Sequence, residues 1–264
     1  MLPKKHLSQN FLSEQSILER IASEGRAHLF HAIFEIGAGE GALTEVLARH
    51  AHHVLALEFD RDLLPILREK FPPSSNVSLL EGDILHTSID TIVKKYSSQQ
   101  LPWAIFGNIP YAITGSILRK LTALEEAPQS IVLLVQKEVA ERIVEKNKKR
   151  SLLSLSISLF GEAKLLFLVP KESFFPVPQV ESAILQVIPH SNRLPFEMRE
   201  AVLRLAKIGF ASKRKTLANN FAAHRMFSKD RIERFLIESG KTKNARAEEL
   251  SKEEWIELLR ALSE

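Results

Sequence analysis

Three short stretches of the chain hold residue types whose spacing suits chemistry. Gly37-Ala38-Gly39-Glu40-Gly41 places glycines at alternate positions, where backbone amides and the start of a following helix can approach a ligand closely. Gly37, Gly39 and Ala42 fit the dinucleotide pattern G-x-G-x-x-G/A, and Gly37, Gly39 and Gly41 equally fit the G-x-G-x-G of methyltransferases. Glu58, 21 residues past Gly37, is spaced to accept hydrogen bonds from ribose hydroxyls in either class. Asp83 adds an acceptor suited to an exocyclic adenine amine, or caps a turn. The second stretch, Asn108-Ile109-Pro110-Tyr111, is the discriminating one. An exocyclic amine is a poor nucleophile because its lone pair is delocalised into the ring. The Asn108 amide oxygen and a neighbouring backbone carbonyl can accept both amine hydrogens, and Tyr111 can stack on the base. Pro110 holds Ile109 extended, so its carbonyl is aimed rather than buried in a helix. A sulfonium methyl donor needs no strong general base, which leaves positioning and electrostatics to supply the rate. The third stretch runs from Phe174-Phe175-Pro176-Val177-Pro178 to Ser182-Ala183, a stiff aromatic loop able to close over an extruded base or to pack against the core.

These residues need a frame. From residue 32 the chain alternates apolar runs with amphipathic helical stretches, the pattern of an α/β fold with a parallel sheet. Strands are expected at 32–36, 54–58, 77–80, 103–106, 131–135, 165–169 and 182–188, so each chemical stretch follows or precedes a strand. Pro65 requires its helix to start near Asp62. Residues 153–159 alternate Leu or Ile with Ser, which reads as a strand or as a helix whose serines bond its own carbonyls. Residues 189–195 read as a linker, everything beyond it is helical in pattern, and Ser251 with Glu254 forms a capping box for the last helix.

Composition narrows the class further. The 264 residues suffice for a large domain plus a small one, with 45% hydrophobic and 26% charged residues. The absence of cysteine removes disulfides, thiolate metal sites and thiol nucleophiles. No apolar run is long enough to span a bilayer and no signal peptide opens the sequence, so a cytoplasmic protein without membrane contact is expected. The net charge of +4 is unevenly spread: residues 1–189 hold 20 basic and 21 acidic side chains, and residues 190–246 hold 14 basic and 5 acidic. That segment fits a polyanion-binding module or a set of solvated helices. Lys146, Lys148, Lys149 and Arg150 form a second basic cluster. His50, His52 and His53 lack a second ligand pair, so no metal site is expected.

In combination these motifs resemble the ribosomal small-subunit (16S) RNA adenine dimethyltransferases, the kasugamycin-sensitivity family, over nearly the whole chain. Ser8-Gln9-Asn10-Phe11-Leu12 is similar to the family's Q-N-F-L element, residues 35–44 to its donor loop, and Asn108–Tyr111 to its N-[LI]-P-Y motif. Gln136-Lys137-Glu138-Val139-Ala140-Glu141-Arg142 and residues 174–183 are family-like too. Ser212-Lys213-Arg214-Lys215-Thr216 resembles the R-R-K-T element of a helical domain that docks on the pre-ribosomal subunit. The resemblance implies a Rossmann-like S-adenosylmethionine-binding catalytic domain over 1–189 and a smaller all-α, RNA- and ribosome-docking domain over 190–264. It makes residues 153–159 helical. The donor site it implies comprises Asn10, Leu12, Gly37, Glu58, Asp83 and Asn108; Asn108, Tyr111 and Phe174 present the base. RNA is met by Lys146, Lys148, Lys149, Arg150, Lys213, Arg214 and Lys215. The substrate implied is a pair of adjacent adenosines near the 3′ end of 16S rRNA in the pre-30S subunit, the enzyme a monomer using S-adenosyl-L-methionine and no metal. Ser8, Ala38, Ala112 and Gly115 depart from the family's usual Gly, Pro, Asn and Pro, and Lys149-Arg150 stand where Tyr-Gly is common. A 23S rRNA adenine methyltransferase of the macrolide-resistance type, a mainly non-catalytic assembly factor and, more distantly, a nicotinamide dehydrogenase are the alternatives.

Overall fold

A computed structural model of the chain describes residues 10–97, 101–145, 150–224 and 227–263. Its elements in chain order begin with β1 (Phe11–Leu12), α1 (Gln15–Glu24), β2 (Ala32–Ile36), α2 (Ala42–His50), β3 (His53–Glu58), α3 (Leu64–Lys70) and β4 (Val77–Glu81). Next come α4 (Ile89–Ser97), β5 (Trp103–Asn108), α5 (Thr114–Thr122), β6 (Ser130–Gln136), α6 (Lys137–Val144) and α7 (Leu152–Phe160). The remainder is β7 (Gly161–Val169), β8 (Phe174–Phe175), β9 (Ser182–Pro189), α8 (Phe196–Gly209), α9 (Leu217–Ala223), α10 (Lys229–Glu238) and α11 (Lys252–Ser263). The described residues fall into two compact units, one drawn from Met1–Val144 and Glu162–His190, the other from Glu145–Gly161 and Ser191–Glu264.

The first unit is built on a seven-stranded sheet of order β4-β3-β2-β5-β6-β9-β7. Its first five strands run parallel, and β9 joins β6 antiparallel. The chain winds outward from β2 through β3 to β4, then returns to β5 on the other side of β2. The carboxyl ends of β2 and β5 therefore bound the crevice where ligands bind in doubly wound sheets. Because β9 runs the other way, its first residue, Ser182, lies beside the carboxyl end of β6, opposite Gln136. That reversal brings the aromatic loop before Ser182 to the same edge as the glycine run.

Burial explains why these strands read as apolar runs rather than as alternating ones. All five residues of β2 are buried, as expected of a parallel strand covered on both faces. Ile33, Val54, Phe106, Val132 and Leu134 share one core with Leu18 and Ile21 of α1 and Val46 and Leu47 of α2. Alternation along the strands puts Glu35, Glu58 and Asn108 on the face that carries Ile33, Val54 and Phe106. Pro65 sits in the first turn of α3, where a missing N–H costs nothing.

In the helical unit Trp255, Phe221, Leu236 and Leu258 are fully buried, with Leu155 and Leu159 of α7 in the same cluster. Residues 150–161 thus group with the helical unit, whereas the boundary expected at 189/190 placed them in the first domain. The cause is the apolar side of α7, which is covered by Val202 and Leu205 of α8. The alternating Leu/Ser run is helical because its serines bond within the helix: Ser158 Oγ donates to the Leu155 carbonyl, and Ser154 with Ser151 forms a capping box. The expected Ser251–Glu254 box is present, with bonds of 2.6 and 3.1 Å. Among the described residues no helix is long and apolar enough to cross a membrane.

Gly209 closes α8 against this core. A Cβ there would lie 2.5 Å from Trp255 Cη2 and 2.8 Å from Leu217 Cδ1, and neither fully buried neighbour has room to yield. Gly209→Ala is expected to lower stability by about 1–3 kcal/mol, read as a lower midpoint in urea unfolding followed by tryptophan fluorescence.

Candidate active site

A cavity of about 360 Å³ opens at the carboxyl edge of the sheet in the first unit, within the range of small-molecule sites. Seven residues expected at the site line it: Asn10, Leu12, Gly37, Glu58, Asp83, Asn108 and Tyr111. Gly37, Gly39 and Gly41 all have positive φ, 77°, 60° and 78°, where an L side chain is strained. The Gly37 and Ala38 amides donate to the Leu57 carbonyl at 2.9 and 3.1 Å, tying the loop to β3. A Cβ on Gly37 would stand 3.0 Å from the Asn108 carbonyl oxygen, so the two strand ends meet only because that position is glycine.

The two acidic side chains end neighbouring strands. Glu58 is buried, its Oε2 accepting from the Gly39 amide at 2.7 Å and its Oε1 from the Phe59 and Asp60 amides at 2.9 and 2.7 Å. Burial pushes its pKa above the ordinary value against those bonds, with the Asp60 carboxylate adding to the rise. Asp83 follows β4; its Oδ1 accepts from the Leu85 amide at 2.8 Å and its Oδ2 meets His86 Nδ1 at 2.9 Å. The capping and ligand readings of Asp83 are compatible, because each carboxylate oxygen has a second lone pair for a ligand.

Asn108 Nδ2 donates to the Asn10 carbonyl at 3.1 Å. Only the NH2 side can donate to a carbonyl, so this bond fixes which end of the amide remains to accept. The Tyr111 hydroxyl pairs with Ser182 Oγ at 2.6 Å, and burial raises the phenol pKa while that hydrogen bond opposes the rise. The Pro110 carbonyl accepts from the Ile113 amide and the Thr114 hydroxyl, both at 3.2 Å. Ser182 escaped prediction as a partner of Tyr111, since a serine at a strand start carries no signal of its own.

Phe174 stands apart from the cavity lining. Its ring is 3% exposed and belongs to the core beside Leu12, its cross-strand partner. The physical reason is the β1–β8 pair, in which alternate side chains point to opposite faces, leaving Phe175 as the exposed aromatic. Lys146, Lys148 and Lys149 lie outside the described residues. Arg150 donates its amide to the Glu248 carbonyl within the helical unit. Lys213, Arg214 and Lys215 are exposed on the loop between α8 and α9, which buried Asn220 pins through bonds to the Gly209 and Ser212 carbonyls at 2.7 and 3.1 Å. Among the described residues no cluster of three His, Cys, Asp or Glu side chains is placed to hold a metal. His52 stacks on His31, and His50 lies 3.9 Å from Glu19.

The family model for ribosomal RNA adenine dimethylase matches residues 2–264. The chain belongs to that family. It is 38% identical over 256 residues to the ribosomal RNA small subunit methyltransferase A of Dehalococcoides mccartyi (strain CBDB1), covering 97% of this chain and 87% of that one. Among solved structures, the 23S rRNA methyltransferase ErmE superposes with a TM-score of 0.71 at 25% identity, over 97% of this chain and 100% of that one. The fold is shared with a dimethyladenosine transferase from Plasmodium falciparum, TM-score 0.76 and 23% identity, over 96% and 97% of the two chains. The family's methyl donor is S-adenosylmethionine, and the residues present fit it: a glycine loop in a left-handed conformation, and the carboxylates of Glu58 and Asp83 in one cavity, able to accept from hydroxyls and an amine.

Two measurements test this geometry. Gly37→Ala forces a left-handed residue, costing about 1–2 kcal/mol, and pushes on the Asn108 carbonyl. Donor affinity by calorimetry is expected to fall on the order of ten-fold or more while the circular dichroism spectrum is retained. The second concerns Glu35, fully buried, with neither carboxyl oxygen in hydrogen-bonding geometry to any described residue. Burial raises its pKa to about 8; the nearby Thr44 hydroxyl opposes the rise and the Glu58 carboxylate adds to it. The folded state then keeps a proton that the unfolded state releases near 4.5, so stability present at low pH is lost as pH climbs towards 8. Glu35→Gln should flatten that decline, seen as a smaller shift in urea midpoint between pH 5 and pH 8 than in the parent.

Proposed function

We propose that this protein transfers methyl groups from S-adenosylmethionine to the N6 amines of two adjacent adenosines near the 3′ end of 16S rRNA, giving N6,N6-dimethyladenosine in the assembling small subunit. It acts as a cytoplasmic monomer. The observation that carries the reading is the Asn108 amide, held through Nδ2 by the Asn10 carbonyl at the end of β5. This orients Oδ1 as an acceptor for one amine hydrogen. Pro110 keeps its own carbonyl engaged, which leaves the extended Ile109 carbonyl as the second acceptor. With both hydrogens drawn off the ring plane, the nitrogen lone pair is freed for attack.

The donor, when bound, supplies an activated methyl on a cationic sulfur. The chain's part is to hold and align: the glycine loop and the α2 N-terminus approach the donor closely, and Glu58 and Asp83 accept from its hydroxyls and adenine amine. Leu12 walls the cavity, and Tyr111, fixed by Ser182, offers a flat face for the target base. Phe174 acts by holding Leu12 rather than by touching the base. No side chain need take a proton before the methyl moves, in keeping with catalysis by orientation. Lys213, Arg214 and Lys215 form a phosphate-binding loop on the helical unit, with Lys146, Lys148, Lys149 and Arg150 as a second basic stretch. Similarity to a small-subunit methyltransferase at 38%, against 25% for ErmE, favours 16S over 23S rRNA.

Unmethylated small subunits incubated with the protein and labelled donor should gain dimethyladenosine, mapped by primer extension on both ribosomal RNAs. Asn108→Ala should lower kcat, measured at saturating donor, by on the order of 10²-fold or more, beyond whatever it takes from donor affinity. A mark on 23S rRNA, or equal activity of Asn108→Ala, would overturn the reading. Neutralising Lys213, Arg214 and Lys215 together should weaken subunit binding and reduce the slope of log K against log salt by about one per lost phosphate contact.

A further inference from the structure

Two large apolar side chains sit outside the machinery described above and face solvent in the aromatic loop before β9. Phe175 is 61% exposed and Val177 57% exposed, while Phe174 and Pro178 on either side are buried. Gln179, two residues further on, is exposed as well.

The position of Phe175 follows from strand pairing. Phe175 lies directly opposite Phe11 in the antiparallel β1–β8 pair, and Leu12 lies opposite Phe174. Directly opposed residues of an antiparallel pair project from the same face, with Cβ atoms roughly 5 Å apart. Leu12 and Phe174 take the inner face and join the core. Phe11 lines the cavity, its ring 3.3 Å from where a Gly39 Cβ would be. Phe175 therefore extends the Phe11 side of the cavity wall outward, as an exposed aromatic surface held between the core-anchored Phe174 and Pro176.

We propose that Phe175, supported by Val177, is a stacking shelf for the RNA base next to the adenosine being methylated. The proposal rests on the reading of the cavity as the site of adenine methylation. Chemistry at Asn108 requires the target base to leave its stack and enter the cavity, which deprives the neighbouring base of a stacking partner. An exposed phenyl face on the same wall replaces that partner, and it holds a purine more strongly than a pyrimidine because the larger π-face stacks better. The occupant is a nucleobase rather than an apolar peptide because the shelf continues a cavity whose entrant is itself a base. It also suits a substrate with two adjacent adenosines: while one is in the cavity, the other rests on Phe175.

The test uses the whole protein and small-subunit particles reconstituted from transcribed RNA, either with the native sequence or with the adjacent adenosine replaced by uridine. Phe175→Ala should lower kcat/KM on native particles by on the order of ten-fold, leave S-adenosylmethionine affinity by calorimetry within about two-fold, and be rescued by Phe175→Trp but not by Phe175→Leu. On uridine particles the parent should lose activity and Phe175→Ala should add little to that loss, because both changes remove the same contact. Parent-like kcat/KM for Phe175→Ala, full rescue by Leu, a parallel loss of donor affinity, or additive losses on uridine particles would each overturn the shelf. Absence of any adenine methylation by the parent protein would instead overturn the reading on which the shelf rests.

Discussion

The site depends on one close approach. β2 and β5 are neighbours in the sheet, so the glycine loop leaving β2 and the Asn-Ile-Pro-Tyr segment leaving β5 emerge side by side, and the Gly37 α-carbon comes up against the Asn108 carbonyl. In the proposed reaction, donor site and acceptor site are thus fixed by the same few backbone atoms. A methyl group moves only a short distance between its two atoms, and two strand ends in one register hold that distance more rigidly than two independent loops would. The order β4-β3-β2-β5 serves the same end by placing Glu58 on the adjoining strand and Asp83 after the next one, within reach of different parts of one ligand.

Two carboxyls on one face of the sheet show how the environment divides the labour. Glu58 is buried, yet its oxygens accept three backbone N–H groups, and one of these, from Gly39, belongs to the donor loop itself. Burial and hydrogen bonding act on it in opposite directions. Glu35, two residues before Gly37, has burial without comparable bonds, and its pKa rises to about 8. A carboxyl that keeps its proton near neutral pH adds little like-charge repulsion to Glu58, so the loop can hold one acidic group for ribose without a second charge beneath it.

The sequence made the parallel-sheet frame legible because apolar runs of strand length alternate with amphipathic helices, and every expected strand of the large sheet forms, all but β2 running beyond the expected bounds and β7 starting earliest relative to them. That Gly37, Gly39, Glu58, Asp83 and Asn108 gather at one cavity was legible because each is spaced from a strand end. β1 and β8 were not, because two-residue strands carry no period, and without that pair the difference between Phe174 and Phe175 cannot be read. Nor could the sequence show that Tyr111 meets Ser182 or that Asn108 meets Asn10, contacts spanning 71 and 98 residues. Nor could it show that residues 152–160 pack with the helical unit, because their partners, Val202 and Leu205, lie far along the chain, whereas the linker-like composition at 189–195 is local.

In the proposed reaction the bond between Asn108 and Asn10 gives the N-terminal Asn-Phe-Leu segment a chemical role beyond walling the cavity. A primary amide has two ends of nearly equal shape and opposite hydrogen-bonding sense. If the Asn108 amide turned over, its NH2 would face the target amine, donor against donor, and the lone pair would stay in the ring. The Asn10 carbonyl removes that alternative because it can only accept. Asn10 itself is held next to β1, whose Leu12 is locked against Phe174 in the core. In the proposed reaction the buried Phe174 bears on the chemistry only through β1, Asn10 and the sense of one amide, without touching the base.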